Sequence, residues 1–453
     1  MTLGWGGIVR LGLVQTALGA VVVLTTSTLN RVMVVEMAMP AMLPGALVAL
    51  HYAVQMLRPR MGHGSDLGGR RTPWIIGGMA LLCAGGLLAA IGTVWMAHSP
   101  RAGIALSLVA FVAIGAGVGA AGTSLLVLLA KQVDDARRPA AATLVWMMMI
   151  LGFALTAGVT GRLLDPFSVE RLLRVVAVTC GLAFVLACWA VRGVERRVPA
   201  GGPSHVLGGY PDKSTPFRAA LAQVWAEPSA RLFTLFVFMS MLAYSAQDLI
   251  LEPFAGTVFA YTPGESTRLS GVQHGGVLLG MMAVAVCGSL RAAGRMASLK
   301  LWMTGGCLLS ALALAGLVLG GLLADWPLRQ NVFLLGFANG AFAVAAIAAM
   351  MRLAGCGGAG REGVRMGLWG AAQAIAFALG GFAGTVVFDL LRALSVPAGT
   401  AYATVFAGEA LLFVVSAAMA VRIAGLDPAV TRDSAALGVI DAALIGHRHG
   451  QST

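Results

Sequence analysis

Seven ionisable side chains lie inside long apolar stretches of this sequence, where a charge or an imidazole is costly to bury. They are Arg31, Glu36, His51, Asp248, Glu252, His274 and Glu409. Such groups usually face a cavity, a partner or a ligand, and a neutral imidazole is a good donor to a metal ion. These residue types therefore indicate a buried polar site rather than a solvated surface.

Spacing along the chain places several of these groups together. Asp248 and Glu252 are four residues apart and share a helical face, as do His51 and Gln55. Counting about 1.5 Å per helical residue puts Arg31 and Asp248 toward the outer side of a membrane. His51 and His274 lie near the start of spans that descend from that side. The sequence therefore predicts that they belong to one outer region of the molecule.

Each group still allows an alternative. Arg31 and Glu36 predict an ion pair at the outer mouth, whereas Glu409 either meets a partner or is a protonated acid. His51 and His274 are either hydrogen-bonded residues between helices or axial ligands to the magnesium of a macrocycle. We expect no catalytic residue and no metal site made by the protein alone. The predicted pigment-binding or cavity site comprises Arg31, Glu36, His51, Gln55, Asp248, Glu252 and His274.

The elements that must hold these residues are membrane helices. Hydrophobic residues make up 58% of the 453 positions and charged residues 11%, whereas soluble domains carry about 25% charged residues. The apolar runs approach or exceed the roughly 20 residues that cross a bilayer, and they lack the alternation of a β-barrel strand. The twelve runs are about 11–37, 42–58, 73–97, 102–130, 140–163, 171–191, 232–260, 268–290, 299–323, 328–351, 365–391 and 400–422.

The positive charges predict the orientation of these spans. With both termini in the cytoplasm, 23 of the 31 Lys and Arg residues fall on the inside, as expected from the positive-inside rule. The net charge of +12 is spread through short loops rather than massed on one face, so we expect lipid contacts and no nucleic acid. The prediction is a multi-pass protein of the cytoplasmic membrane.

The chain divides into two similar groups of six spans. We predict a first half over 1–191, a Pro/Gly-rich cytoplasmic linker over 192–230, a second half over 231–424 and a cytoplasmic tail over 425–453. LPGALVALH at 43–51 matches LSGVQHGGV at 269–277, which indicates a weak internal repeat. Two parallel six-helix halves predict an all-α protein with the fold of the major facilitator superfamily.

A dense polar cluster, RMGHGSDLGGRRTPWI at 60–75, joins the second and third spans. It resembles the loop motif of the major facilitator superfamily, although Leu67 stands where that motif usually has a basic residue. Opposite charges there can latch the inner helix ends in one conformation, and the alternative is an ordinary basic loop. The motif residues are Gly62, Asp66, Gly69, Arg70 and Arg71.

Three strings carry a more specific resemblance. TLNRVMVVEMAMPAMLPGALVALHYAVQ (28–55), GSDLGGRRTPWIIGG (64–78) and AQDLILEPFAGTVFAYTPGESTRLSGVQHGG (246–276) resemble the PucC/LhaA, or bacteriochlorophyll delivery, family of that superfamily. The resemblance implies a photosynthetic membrane and a role in assembling light-harvesting complexes. It also implies delivery of bacteriochlorophyll, with a carotenoid as a further pigment, to antenna polypeptides. The branch with a shorter second loop, labelled a bacteriochlorophyll synthase subunit, is the one it resembles.

The sequence argues against catalysis despite that label. Prenyl transfer to chlorophyllide by membrane prenyltransferases uses Asp-rich motifs that hold Mg²⁺ and diphosphate, but no N-D-x-x-D occurs and the only adjacent acids are Asp134-Asp135. We therefore expect a non-enzymatic assembly factor that associates with pigment-synthesis enzymes. The alternatives are a transporter of a tetrapyrrole or other amphiphile, and a scaffold for those enzymes without a pigment site.

Overall fold

The structure, a computed structural model, describes residues 3–57, 70–134, 137–195, 217–289, 298–323, 325–355 and 362–423. Long helices make up almost all of this part of the chain. They are α1 Trp5–Glu36, α2 Met42–Gln55, α3 Thr72–Met96, α4 Pro100–Gln132, α5 Arg138–Leu163, α6 Val169–Val191, α7 Pro228–Phe259, α8 Pro263–Ser289, α9 Leu299–Leu322, α10 Leu328–Gly355, α11 Glu362–Ala393 and α12 Ala398–Arg422.

Eleven of these helices in the described ranges are long and apolar enough to cross a membrane. The exception is α2, whose 14 residues fall short of the roughly 20 needed. The predicted second span ran to residue 58, but the helix ends at Gln55, and residues 58–69 lie outside the described part. The sequence prediction of twelve spans thus corresponds to eleven long helices and one short apolar helix.

Local sequence explains where several helices begin. Proline stands in the first turn of α3, α4, α5 and α7, where its missing N–H costs nothing. The Ser168 hydroxyl caps α6 by accepting a hydrogen bond from the Arg171 N–H at 3.1 Å. A ten-residue connector helix, Phe217–Ala226, precedes α7 in the segment predicted as the linker.

Small residues allow the helices to approach closely. At the α3–α4 crossing, a Cβ added to Gly117 would lie 2.6 Å from the Leu82 backbone nitrogen, too near for any side chain. This close packing replaces the hydrophobic effect, which gives little drive for helix association inside lipid.

Two hydrophobic clusters fill the interior. One cluster consists of buried residues between Ile8 and Val194 together with Leu249. The other consists of buried residues between Phe233 and Ile423 together with Ala41 and Ile150. We call α1–α6 the first half and α7–α12 the second half; the domain boundaries themselves stay a prediction. The inner face is the side where α1 begins, and the outer face is the side where α1 ends.

Candidate functional site

The second part of α1 carries an unusual backbone. Leu24–Thr28 and Val32–Glu36 form π-helical turns, a rare form that is frequent at functional sites. Four consecutive hydroxyl residues, 25–28, occupy the first of these turns. Thr25 and Thr26 donate to the Val22 carbonyl of their own helix, each at 2.9 Å, whereas Ser27 and Thr28 reach other helices.

Ser27 and Thr28 meet a buried carboxylate and two hydroxyls of the second half. Ser27 donates to Glu252 Oε1, and its Oγ lies 3.4 Å from Ser270 Oγ. Thr28 Oγ1 lies 3.3 Å from Thr267 Oγ1, and Thr267 and Ser270 also stand beside the Glu252 carboxylate. We call Ser27, Thr28, Glu252, Thr267 and Ser270 the hydroxyl–carboxylate cluster, which joins α1, α7 and α8.

Arg31 and Glu36 form the predicted ion pair one to two turns further along α1. The Arg31 guanidinium is almost fully buried and also donates to the Tyr261 carbonyl at 2.6 Å. It fits because a Cβ at position 256 would lie 2.9 Å from its Nη2, so Gly256 leaves the space. The ion pair and the hydrogen bond to Tyr261 therefore attach the outer end of α1 to the segment that follows α7.

The two predicted histidines occupy different environments. His274 Nδ1 donates to the Ser270 carbonyl at 2.9 Å, and Phe153 of α5 covers its ring edge-on at 5.0 Å between centroids. His51 Nε2 lies 2.8 Å from the Gln55 amide nitrogen, and its backbone packs on Gly115 of α4. His274 thus borders the hydroxyl–carboxylate cluster across the two halves, whereas His51 and Gln55 lie within the first half.

Asp248 lies one turn before Glu252 on α7, as predicted, but it faces a different set of residues. Its carboxylate is near Tyr244, and Oδ1 has no hydrogen-bond partner among the described residues. Glu409 of α12 is also buried, and neither of its carboxylate oxygens has a described hydrogen-bond partner. The predicted site therefore separates into the Glu252 region, the Asp248 region and the His51–Gln55 pair.

The predicted site left out several buried polar residues. Ser310 donates to Asn339 Oδ1, and Asn339 donates to Gln247 Oε1, each at 2.9 Å, which gives a buried chain across α9, α10 and α7. The hydroxyls of the cluster were missed. For Ser27 and Thr28, the signal that could have found them is the run of four hydroxyl residues at 25–28 within an apolar segment.

Two carboxylates close the outer face between the halves. Asp165, just after α5, pairs with Arg268 of α8 at 2.9 Å and accepts from the Thr262 hydroxyl at 2.8 Å. Asp389, near the end of α11, accepts from the backbone N–H groups of Ala41 at 3.0 Å and Met42 at 2.6 Å. Because α5 and α11 are equivalent in the two halves, as are α8 and α2, these outer latches form a pseudo-symmetric pair.

A pocket of about 730 Å³ borders the second outer latch. It lies between the α1–α2 connection and the outer ends of α7, α11 and α12. Its wall is mostly apolar, with Asp389, Arg392 and Tyr402 as the main polar side chains. The pocket lies away from the hydroxyl–carboxylate cluster, none of whose residues line it.

The predicted loop motif is described only at its end. Gly62, Asp66 and Gly69 lie outside the described residues, whereas Arg70 and Arg71 lie within them. The Glu195 carboxylate accepts from the backbone N–H groups of Arg71 at 2.6 Å and Thr72 at 2.8 Å, and so caps α3 from the end of α6. The sequence analysis did not single out Glu195.

Burial raises the pKa of Glu195, but opposing interactions are stronger together. The Thr72 side chain, the two backbone N–H groups and the positive charge of Arg70 favour the carboxylate. The pKa of Glu195 therefore lies below its ordinary value.

The helices are arranged in the fold of the major facilitator superfamily, as superposition on solved structures shows. A D-xylose–proton symporter superimposes with a TM-score of 0.71, covering 93% of this chain and 98% of its own, at 13% identity. The nucleoside transporter NupG gives a TM-score of 0.67 over 91% of this chain and 99% of its own, at 14% identity. At such identities the likeness establishes the fold alone.

Sequence comparison gives the family. The model of the PUCC protein family matches residues 28–426, and this chain belongs to that family. The "Bacteriochlorophyll synthase 44.5 kDa chain" of Rhodobacter capsulatus is 54% identical over 93% of this chain and 96% of its own length. Protein PucC of Rhodobacter capsulatus is 30% identical over 91% of each chain.

Proposed function

We propose that this protein is a non-catalytic assembly factor that binds bacteriochlorophyll and delivers it to light-harvesting antenna polypeptides. The observation that carries the proposal is the 54% identity, along nearly the whole chain, to a relative named for bacteriochlorophyll synthesis. That relationship combines with a fold whose solved examples move small molecules through membranes. A protein that carries pigment from the synthesis enzymes to the antenna polypeptides accounts for both the sequence relationship and the fold.

The chemistry of the acidic residues supports a role without catalysis. Mg²⁺ bound to a diphosphate needs carboxylates that are free to ligate the metal. The sequence contains one adjacent acidic pair, and its first member, Asp134, forms an ion pair with Arg137 at the inner end of α4. We therefore assign prenyl transfer to a separate enzyme with which this protein associates.

His274 fits a magnesium macrocycle better than His51 does. A carbonyl oxygen only accepts, so the bond to Ser270 places the proton of neutral His274 on Nδ1 and leaves the Nε2 lone pair for a metal. In His51 the Nε2 lone pair is engaged by the Gln55 amide. Because Phe153 packs edge-on against the His274 ring, α5 and α8 would have to separate to admit a macrocycle at Nε2.

Purification from pigmented membranes tests the proposal. We expect the protein isolated in mild detergent to carry a bacteriochlorophyll absorbance band, and the same spectrum reads any carotenoid. Antenna polypeptides should copurify, and a deletion strain should contain less antenna complex. A colourless protein together with normal antenna levels in the deletion strain would contradict the proposal.

A histidine comparison sharpens this test. We expect His274→Ala to lose most of the bound pigment and His51→Ala to lose less. The matched control is His98→Ala, because His98 is exposed in the connection between α3 and α4. Equal pigment in all three variants would shift the assignment to a scaffold that lacks a pigment site.

The proposal includes an orientation in which the inner face is cytoplasmic and the membrane is the photosynthetic one. A cysteine at His98, on the outer face, should react with an impermeant thiol reagent added from the periplasm. A cysteine at Arg192, an exposed inner-face position, should not react. The reverse pattern would overturn the orientation.

A transporter of a tetrapyrrole or other amphiphile is the second candidate. The transporter fold and the buried Asp248 carboxylate favour it, since acids within membrane helices often carry protons during transport. It requires pH-dependent flux of a porphyrin in liposomes that fails in Asp248→Asn. Absence of flux in the wild-type protein excludes this candidate.

A further inference from the structure

The polar side-chain atoms of the hydroxyl–carboxylate cluster are all oxygens. Ser27, Thr267 and Ser270 surround the Glu252 carboxylate, and Thr28 lies against Thr267. The carboxylate is one of the most buried acids of the chain. Its position inside the bundle makes an uncompensated negative charge costly.

No described cation pairs directly with Glu252. Arg31 lies nearby, but its guanidinium contacts Glu36 and the Tyr261 carbonyl. His274, the other basic group facing the cluster, directs Nδ1 at the Ser270 carbonyl. Because Arg31 and Glu36 neutralise each other, the cluster retains the single negative charge of Glu252.

Two buried oxygens in this region have no hydrogen-bond partner among the residues that the structure describes. They are Glu252 Oε2 and the side-chain oxygen of Asn30, whose amide nitrogen donates to the Leu249 carbonyl. Buried acceptors of this kind are rare unless a water or an ion completes them. Hydrogen bonds from the surrounding side chains therefore do not fully satisfy the cluster.

The spacing within two pairs of hydroxyl oxygens matches the coordination shell of an ion. The Ser27–Ser270 and Thr28–Thr267 oxygens are 3.4 and 3.3 Å apart, long for hydroxyl hydrogen bonds. An ion with bonds of about 2.4 Å and octahedral ligands sets neighbouring oxygens about 3.4 Å apart. Mg²⁺, with bonds of about 2.0 Å, would draw them closer, and Ca²⁺ sites usually contain several carboxylates.

We propose that α1, α7 and α8 form a site for one Na⁺-sized monovalent cation, with Glu252 as its charged ligand. The hydroxyls of Ser27, Thr267 and Ser270 complete the ligand set together with Thr28. One positive ion compensates the one negative charge. A single carboxylate combined with neutral oxygens is suited to a monovalent ion. The π-helical turn Leu24–Thr28 beside it resembles the irregular backbone at the ion sites of other transporters.

The site has a mechanical consequence because its ligands come from both halves. Ser27 and Thr28 belong to the first half, and the other three residues belong to the second. A bound cation therefore holds α1 against α7 and α8 and stabilises the conformation with a closed outer face. This inference does not depend on pigment binding, since the pigment proposal uses His274 Nε2, which is not a cluster ligand.

Protein produced in a host without bacteriochlorophyll provides the test. Thermal unfolding in detergent is followed at constant ionic strength and pH while choline chloride is replaced by NaCl, LiCl or KCl. We expect a saturable rise in apparent Tm of several degrees with NaCl, and a smaller rise with KCl. Equilibrium binding of radioactive ²²Na⁺ should reach one ion per chain.

Variants assign the effect to the cluster. Glu252→Gln should abolish ²²Na⁺ binding, and Ser270→Ala should weaken it about tenfold. Glu409→Gln is the matched control, because Glu409 is an equally buried acid on α12 that is outside the cluster. If Glu252→Gln does not fold, Ser270→Ala and the wild-type binding measurement decide the question.

Three outcomes would overturn the proposal. The first is a wild-type protein that responds equally to sodium and choline and binds no ²²Na⁺. The second is a stability that follows pH but not sodium, which assigns the cluster to a proton. The third is unchanged ²²Na⁺ binding in Glu252→Gln or Ser270→Ala. None of these outcomes bears on pigment binding, which is measured in a different preparation.

Discussion

Charged side chains link different parts of the molecule at its two faces. At the outer face, Asp165 of the first half pairs with Arg268 of the second, and Asp389 of the second half caps α2 of the first. At the inner face, Glu227 pairs with Arg365 inside the second half, and Glu195 caps α3 inside the first half. The outer contacts cross the boundary between the halves, and these inner contacts do not.

This difference indicates which movement the structure permits. Separating the inner ends of the halves leaves the described inner pairs intact, because both partners move together. Separating the outer ends breaks both outer latches. The structure therefore corresponds to a state closed at the outer face, and the comparison predicts that inner variants affect stability whereas outer variants affect accessibility.

The largest expected effect comes from the inner ion pair. Glu227→Gln removes one carboxylate from the almost fully buried Arg365 guanidinium, so we expect a loss of about 3 kcal/mol in stability. The measurement is apparent Tm in detergent. Outer-face labelling of a buried position, such as a cysteine at Ser266, should stay at the wild-type rate; faster labelling would contradict the comparison.

The next effect concerns the crossing of α5 and α8. A Cβ at Gly161 would lie 2.7 Å from the Arg268 backbone, so Gly161→Leu should force the outer ends apart at a cost of about 2 kcal/mol. We expect the Ser266 cysteine to react at least tenfold faster with an impermeant thiol reagent. Gly181→Leu is the control, because an added Cβ there meets nothing within 4 Å.

A smaller effect is expected at the first outer latch. Asp165 and Arg268 are both partly exposed, so Asp165→Asn should cost at most about 1 kcal/mol. It should nevertheless accelerate labelling of the Ser266 cysteine several-fold, because the latch spans the two halves. The exchanged pair Asp165→Arg with Arg268→Asp should restore part of the slow labelling. If Asp165→Asn does not accelerate labelling and the exchanged pair does not slow it, this latch does not hold the outer face closed.

The smallest effect concerns Glu195 and pH. Since its pKa is lower in the folded protein than in the unfolded chain, its contribution is present above the unfolded pKa and is lost as pH falls through the folded pKa. Glu195→Gln should therefore lower Tm slightly near neutral pH and converge with the wild type in acid. A difference that does not change with pH would exclude this carboxylate as the cause.

The sequence predicted what local rules determine. Hydropathy predicted the long helices, although the first begins at Trp5 rather than at residue 11. The opposite charges of Arg31 and Glu36 at the outer end of the first span predicted an ion pair that is present. The same rules predicted that Asp248 and Glu252 share one helical face. They do not determine that the two acids contact different neighbours, because that depends on how α7 is rotated against α1, α8 and α10.

Contacts between distant segments escaped the sequence analysis. Ser27 and Glu252 are separated by 225 positions, and neither residue alone indicates the other. In the internal repeat His274 aligns with Val48, three residues before His51, which predicts pseudo-symmetric faces for the two histidines. In the structure, His51 lies against α4 and His274 lies against α5. A sequence repeat identifies equivalent helices, but it does not determine which neighbouring helix each face contacts.

The wide turn at Leu24–Thr28 has a consequence for how this helix could vary. A π-helical turn holds one residue more than an α-helical turn of the same length, so it behaves as an insertion that the helix has absorbed. A related chain lacking one residue in this stretch would keep Val14 and Arg31 facing their present neighbours. It would lose only the outward bulge that brings the Ser27 hydroxyl to the opposite half, and the two helix ends would stay in phase.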